Sequence, residues 1–160
     1  AQLKLGEVLA ETGNYEPSAE AYQAYLQKFP KGKFVHLAQF GLGWSLENRK
    51  QYDQARAWYQ KVIAAHNGPT AARAQFQIGE TYLAQQDFEK AAAELLKVDI
   101  VYAYPEWSSR ALLEAGTAFR QLKQFDQARQ QWTLCTTKYK DRPEAALARK
   151  YLDALAKESK

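Results

Sequence analysis

The residues of this 160-residue sequence with most capacity for chemistry are one cysteine and two histidines. Cys135 falls at a repeated apolar position that Val62 and Val98 also occupy, so we interpret it as buried filler rather than a nucleophile. His36 begins one predicted helix and His66 ends another, and His36 has no carboxylate at ligand spacing. We therefore expect no catalytic residue, no metal site, no cofactor and no enzyme activity.

A glycine pair, Gly41-Leu42-Gly43, could suggest a phosphate-binding loop. Such a loop needs a strand before it and a helix after it, whereas this pair lies inside a predicted helix. The charge is +4 from 22 basic and 18 acidic residues, and no dense basic run appears. These features favour a chain that binds no nucleic acid.

Hydrophobic residues make up 46% of the sequence, enough for one ordinary domain over residues 1–160. The apolar stretches are short and interrupted by polar residues, far from the roughly 20 apolar residues of a membrane helix. We expect no membrane insertion by this segment.

Four glycines recur in one phase, 37, 36 and 37 residues apart. An aromatic residue follows each glycine by nine positions, and a large side chain follows it by sixteen. The glycines are Gly6, Gly43, Gly79 and Gly116; the aromatic residues are Tyr15, Tyr52, Phe88 and Phe125; the large residues are Tyr22, Tyr59, Leu95 and Trp132. Because glycine weakens a helix by about 0.5–1 kcal/mol relative to alanine, this phase predicts a close approach of a partner helix.

Between the helix-breaking proline and glycine residues, apolar residues recur three and four positions apart, which predicts pairs of amphipathic helices. We expect helices near 1–12, 15–29, 33–48, 52–66, 70–85, 88–101, 107–121, 125–139 and 143–157. They form repeats of approximately 1–32, 33–69, 70–105 and 106–142, followed by a capping helix at 143–157 with one apolar face. The first helix lacks its opening turn, so we expect the natural protein to extend upstream.

This spacing of small, aromatic and proline residues resembles the tetratricopeptide repeat pattern. The family's Leu-Gly pair falls at Leu5-Gly6, Leu42-Gly43, Ile78-Gly79 and Ala115-Gly116. The resemblance implies an all-α fold, a right-handed superhelix (α-solenoid) of about four hairpins plus the cap. Two features depart from the family: the period exceeds the usual 34, and the tryptophan four residues before the glycine is replaced by Gln2, Gln39, Gln75 and Leu112.

The longer period and the segments 29–30, 40–44 and 104–116 resemble a bacterial subgroup. That subgroup includes TolA-binding cell-division coordinators and outer-membrane assembly lipoproteins of the envelope. It implies the periplasm or cell envelope, with the cytoplasm as the alternative, because cytoplasmic scaffolds use similar repeats.

The resemblance also implies that the first helix of each pair lines a concave groove. Four offsets from each glycine predict the partner-binding residues, which are Phe40, Trp44, Glu47, Arg73, Phe76, Glu80, Arg110, Leu113, Thr117 and Arg120. Leu3, Glu7, Ala10, Leu37 and Leu83 fall at the same offsets.

Trp44 is distinctive because its counterparts are Glu7, Glu80 and Thr117, and an aromatic residue on a groove is typical of a binding hot spot. The alternative is that it packs on a neighbouring helix. Trp58 likewise marks either a second surface or a lone exposed aromatic residue.

The other predicted residues also have two interpretations. Phe40, Phe76 and Leu113 can be hairpin contacts, since their offset is apolar in every repeat. Arg73 and Arg110 either hold a carboxylate bidentately or are solvated or paired charges. The Lys/Asn clamp that some members of the family use for chaperone C-termini is absent from the corresponding offsets.

We therefore predict a non-catalytic scaffold that binds a protein or peptide, as a monomer or weak homodimer. The alternatives are a helical-repeat RNA-binding module and a non-catalytic region of a larger enzyme or regulator.

Overall fold

The computed structural model describes residues 1–158, and those residues form nine α-helices and no strand. The all-α array of helical hairpins predicted from the sequence is confirmed. The helices are α1 Gln2–Glu11, α2 Tyr15–Lys28, α3 Val35–Asn48, α4 Tyr52–Ala65, α5 Pro69–Ala84, α6 Phe88–Lys97, α7 Pro105–Gln121, α8 Phe125–Lys138 and α9 Pro143–Glu158.

Contacts divide the chain into two compact units, Ala1–Gln77 and Ile78–Lys160, and the division falls within α5. In the first unit, α3 packs against both α2 and α4, and α1 packs against α2. In the second unit, α7 packs against α6 and α8, and α9 packs against α8 and α7. The single domain and the repeat boundaries predicted from the sequence stay predictions.

The four glycines of the repeat phase lie at close helix approaches, as predicted. A Cβ added at any of them would overlap the large side chain sixteen residues later. The pairs are Gly6 with Tyr22, Gly43 with Tyr59, Gly79 with Leu95, and Gly116 with Trp132. Overpacking of this kind typically costs 1–3 kcal/mol, so these contacts explain why the repeat keeps glycine inside a helix.

The turn inside each hairpin uses one left-handed residue, seven positions after the repeat glycine. This residue is Gly13 in the first hairpin and Lys50, Gln86 and Lys123 in the others, with φ between 59° and 78°. The next backbone N–H donates to a carbonyl five residues back, as in Asn14 to Leu9 at 2.8 Å. This is the Schellman pattern, which ends a helix and turns the chain into its partner.

The sixth helix departs from its predicted bounds of 88–101. It ends at Lys97, and a π-helical turn, Val98–Tyr102, follows, closed by a bond from the Ala103 N–H to the Val98 carbonyl at 3.2 Å. The wider turn leaves Ile100 and Val101 exposed, by 78% and 64%, while Asp99 is buried. Two apolar side chains of this turn are therefore exposed while its carboxylate is buried.

The terminal helix α9 buries Ala145, Ala148 and Leu155, as expected for one apolar face. Leu147 of the same helix is 37% exposed, so it lies at the border of the apolar face.

Candidate functional site

A pocket of about 250 Å³ opens in the Ala1–Gln77 unit between α1, α3 and α5, each of which is the first helix of its hairpin. Its walls combine two carboxylates, aromatic rings and one guanidinium. The lining residues are Glu7, Ala10, Glu11, Tyr22, Leu37, Phe40, Gly41, Trp44 and Arg73. Three of the predicted partner-binding residues, Phe40, Trp44 and Arg73, therefore meet in one cavity.

Tyr22 of α2 lies beneath this pocket with its ring between two glycines. The ring contacts Gly6 of its own hairpin and Gly41 of the next, and a Cβ on either glycine would overlap it. Burial raises the pKa of Tyr22 to about 12, with smaller contributions from the charges of Glu7 and Glu11 and an opposing one from Arg73.

Two buried serines connect the helices around that ring. The Ser18 hydroxyl donates to the Gly6 carbonyl at 2.8 Å, and the Ser45 hydroxyl donates to the Gly41 carbonyl at 2.9 Å. The two hydroxyl oxygens lie 2.9 Å apart. The network joins α1, α2 and α3, so buried hydrogen bonds connect all three helices beneath the pocket.

Trp44 forms one wall and is half-buried. Its ring meets that of Tyr15 edge to face, with centroids 5.8 Å apart and planes at 84°. This geometry suits the quadrupoles of two aromatic rings and fixes the orientation of the indole. Trp44 thus packs against a neighbour and also lines the cavity, and its role as a binding hot spot stays a prediction.

Phe40 and Arg73 form a second wall. Phe40 is 8% exposed, and its ring packs against Tyr59 with centroids 5.4 Å apart. The Arg73 guanidinium lies over the Phe40 ring, 4.5 Å from its centroid, within the range of a cation–π contact.

Glu47 lies on α3 but belongs to a hydrogen-bond network rather than to the cavity lining. It accepts from the Tyr59 hydroxyl at 2.5 Å and from the Gln77 amide at 3.1 Å. Burial raises the pKa of Glu47, while the bonds from Tyr59 and Gln77 oppose that effect. Burial also raises the pKa of Tyr59, and the neighbouring carboxylate adds to it.

Within the Ile78–Lys160 unit, the predicted arginines form ion pairs. Arg110 lies 3.4 Å from a Glu144 carboxylate oxygen and stacks over the Trp107 ring at 5.0 Å. Arg120 pairs with Glu158. Both guanidinium groups are partly exposed, so they are charged surface residues with intramolecular partners.

The remaining predicted residues differ in exposure. Phe76 and Leu113 are 8% and 6% exposed, which agrees with the hairpin-contact interpretation. Thr117 is half-buried and its hydroxyl donates to the Leu113 carbonyl at 3.2 Å, while Glu80 is half-buried on α5.

Comparison with known proteins identifies the repeat. The sequence profile of the tetratricopeptide repeat matches residues 3–68 and 40–106, and a second profile of the same description matches residues 110–142. The chain belongs to the tetratricopeptide repeat family. Repeats of this family typically form scaffolds for protein–protein interaction. No curated protein sequence matches the chain.

Several solved structures share its fold. A tetratricopeptide repeat protein from Parabacteroides merdae superposes with a TM-score of 0.78 at 17% identity, over 98% of this chain and 59% of that one. The apo form of RapI superposes with a TM-score of 0.80 at 12% identity, over 99% and 62%. PilF of Pseudomonas aeruginosa superposes with a TM-score of 0.76 at 23% identity, over 99% and 68%. The chain spans about three fifths of the first two proteins.

His36, His66 and Cys135 all contact other residues of this tetratricopeptide array. The His36 and His66 rings are in contact, with centroids 4.0 Å apart and planes at 42°, although they lie thirty positions apart in the sequence. Burial raises the pKa of the Cys135 thiol to about 11, and the charge of Glu144 adds to this. Among the described residues, no cluster of three or more His, Cys, Asp or Glu side chains could hold a metal ion. No helix within residues 1–158 has the length and apolarity to span a bilayer.

Three residues that line the pocket were missed by the sequence analysis: Glu11, Tyr22 and Gly41. Glu11 lies one helical turn after Glu7, so the i, i+4 rule could have found it. Tyr22 and Gly41 come from the second helix of one hairpin and the first helix of the next. Offsets within a single repeat do not reveal a contact of that kind.

Proposed function

We propose that this chain is a non-catalytic scaffold that binds a protein or peptide partner at the pocket of the Ala1–Gln77 unit. The observation that carries the proposal is Trp44, an aromatic side chain that only one of the four repeats has at this offset. It lines a cavity, it is half-buried, and Tyr15 fixes its ring. Rigid aromatic residues beside a concave, partly apolar surface are typical binding hot spots.

The partner contacts that we propose in this unit are Phe40, Trp44, Glu47, Arg73 and Phe76. Trp44 contacts the partner directly, Arg73 borders the same pocket, and the buried Phe40 and Phe76 support them. Glu47 acts through Tyr59 and Gln77. Glu80, Arg110, Leu113, Thr117 and Arg120 of the second unit are proposed as a separate set of contacts.

For the compartment, we propose the periplasm or cell envelope of a bacterium. The support is the resemblance of the segments 29–30, 40–44 and 104–116 to TolA-binding coordinators and outer-membrane assembly lipoproteins. Fractionation of the source cells, followed by detection with an antibody against this segment, tests the proposal. Recovery with the cytoplasmic marker would contradict it.

We also propose that the chain is a monomer or weak homodimer. Light scattering across a hundredfold range of concentration tests this. A stable mass of two or more chains at the lowest concentration would contradict it.

The binding function is tested by panning a displayed library of random peptides against the chain and measuring the affinity of the selected peptides for variants. We expect Trp44→Ala to weaken binding at least tenfold, which corresponds to about 1.4 kcal/mol. Trp58→Ala is the matched control, because it removes another half-buried tryptophan that lies outside the pocket lining. Equal affinity of wild type and Trp44→Ala would overturn the proposal, as would tight binding of a single-stranded RNA that Trp44→Ala abolishes.

A further inference from the structure

The pocket has an acidic wall formed by two carboxylates one helical turn apart. Glu7 and Glu11 lie at i and i+4 on α1, and both line the cavity. The Glu7 carboxylate is paired only with an exposed lysine on its own helix, Lys4, at 3.1 Å. Among residues 1–158, Glu11 has no ion-pair partner. Exposed pairs of this type contribute little, so both carboxylates are available to a ligand.

An aromatic surface lies in the same cavity. Trp44 is half-buried and its indole contacts Tyr15, so the ring is preorganised and does not have to be ordered when a ligand binds. Tryptophan is the aromatic side chain that attracts cations most strongly through its face. Carboxylates and an indole in one cavity are complementary to a group that is both positively charged and partly apolar.

Arg73 carries the one positive charge among the nine lining residues. Its guanidinium lies over the Phe40 ring, 4.5 Å from the centroid. Two carboxylates against one guanidinium leave the lining with an excess of one negative charge. The raised pKa of Tyr22 agrees with this balance, because the charges of Glu7 and Glu11 each affect it more than the charge of Arg73 does.

We propose that this pocket selects a lysine or arginine side chain of the partner, seated between the carboxylates of Glu7 and Glu11 and the indole of Trp44. The stem of that side chain packs on apolar surface while its charged head meets the carboxylates. This inference rests on the proposed peptide-binding function and specifies the chemistry of the partner. It also predicts that an acidic peptide is rejected, because its carboxylate would meet two like charges.

The peptide panning described above supplies the first measurement. We expect the selected peptides to share a lysine or arginine, and replacement of that residue by norleucine to weaken binding at least tenfold. Norleucine keeps the length and apolar stem and removes the charge. Peptides that depend on Trp44 but share no basic residue would overturn this inference and leave the proposed function standing.

The second measurement uses charge-matched variants of the chain. Glu7→Gln/Glu11→Gln is expected to weaken binding of the selected peptide by about tenfold or more, and the loss should shrink as salt rises from 50 mM to 500 mM. Glu16→Gln/Glu20→Gln is the control, because it removes two carboxylates at the same spacing on α2, outside the pocket lining. Equal losses for the two double variants would overturn the inference, since a general effect of net charge would then explain them.

A third variant, Arg73→Gln, is expected to change the affinity for the peptide in the opposite direction. Arg73→Gln removes the positive charge from the lining and is expected to strengthen binding of the lysine peptide about twofold to threefold. A weaker complex, or enrichment of peptides with a free carboxylate that Arg73→Gln abolishes, would show that the pocket recognises an anion and would overturn the inference.

Discussion

The Tyr22 ring packs directly against the backbone of Gly41, so closely that a Cβ at position 41 would overlap it. Gly41→Ala should therefore lower the free energy of unfolding by about 1–3 kcal/mol, as overpacked cores do, although alanine is the better helix former. Thermal unfolding of the chain measures the change. Gly68→Ala is the control, because a Cβ at Gly68 meets nothing within 4 Å. A midpoint unchanged by Gly41→Ala would contradict the packing described here.

The contact between His36 and His66 should make stability depend on pH. Burial lowers the pKa of His36 below 6.5, and the charge of His66 lowers it further. The unfolded chain therefore binds a proton more readily than the folded one, so this contribution is intact above about pH 6.5 and is lost as pH falls from 6.5 through the folded pKa. The difference in melting temperature between wild type and His36→Gln should shrink or reverse towards pH 5. A difference that stays constant from pH 5 to 8 would contradict this expectation.

The buried carboxylate of the π-helical turn should be important for stability. Asp99 accepts from the Lys138 amine at 2.9 Å and from the Tyr139 hydroxyl. Asp99→Asn places amide donors against these donors and should cost about 1–3 kcal/mol, measured by urea unfolding. Asp126→Asn is the control, because the Asp126 side chain is 94% exposed and its pair with Arg129 should contribute less than about 1 kcal/mol. Equal losses in the free energy of unfolding for the two variants would show that burial of Asp99 does not increase the contribution of its contacts to stability.

The left-handed turn residue offers a stabilising change. Lys123 has φ 59°, a conformation that costs an L-residue roughly 1–2 kcal/mol, whereas glycine adopts it freely. After the added flexibility of the unfolded chain is subtracted, Lys123→Gly should raise the free energy of unfolding by about 0.5 kcal/mol. Lys150→Gly, inside α9, should lower it by about 1 kcal/mol. Calorimetry of the two variants distinguishes these signs, and destabilisation by both would contradict the prediction.

The helical hairpins were predictable because the repeat supplies four observations of each position. Gly79 and Leu95 are sixteen residues apart, and the same spacing recurs in every unit, so their contact follows from the phase alone. The π-helical turn was not predictable in this way. It occurs once, and the burial of Asp99 depends on Lys138 and Tyr139, 39 and 40 residues further along the chain.

The candidate site was likewise predictable only in part. Trp44 and Arg73 were predicted from their offsets in the repeat, and both line the pocket. The contact of Tyr22 with Gly41 was not predicted, because Gly41 has no glycine counterpart in the other repeats. The contact of His36 with His66 likewise depends on helix packing that has no local signature in the sequence.

Tyr22 is at once a wall of the pocket and part of the joint between the first two hairpins. Binding of a partner in the pocket and folding of the Ala1–Gln77 unit are therefore thermodynamically linked through one aromatic ring. A saturating partner, at about a hundred times its dissociation constant, adds roughly 2.7 kcal/mol to the stability of the state that binds it. Capture of a partner would thus also lower the fraction of chains in which this joint is open, so that loading protects the joint from unfolding.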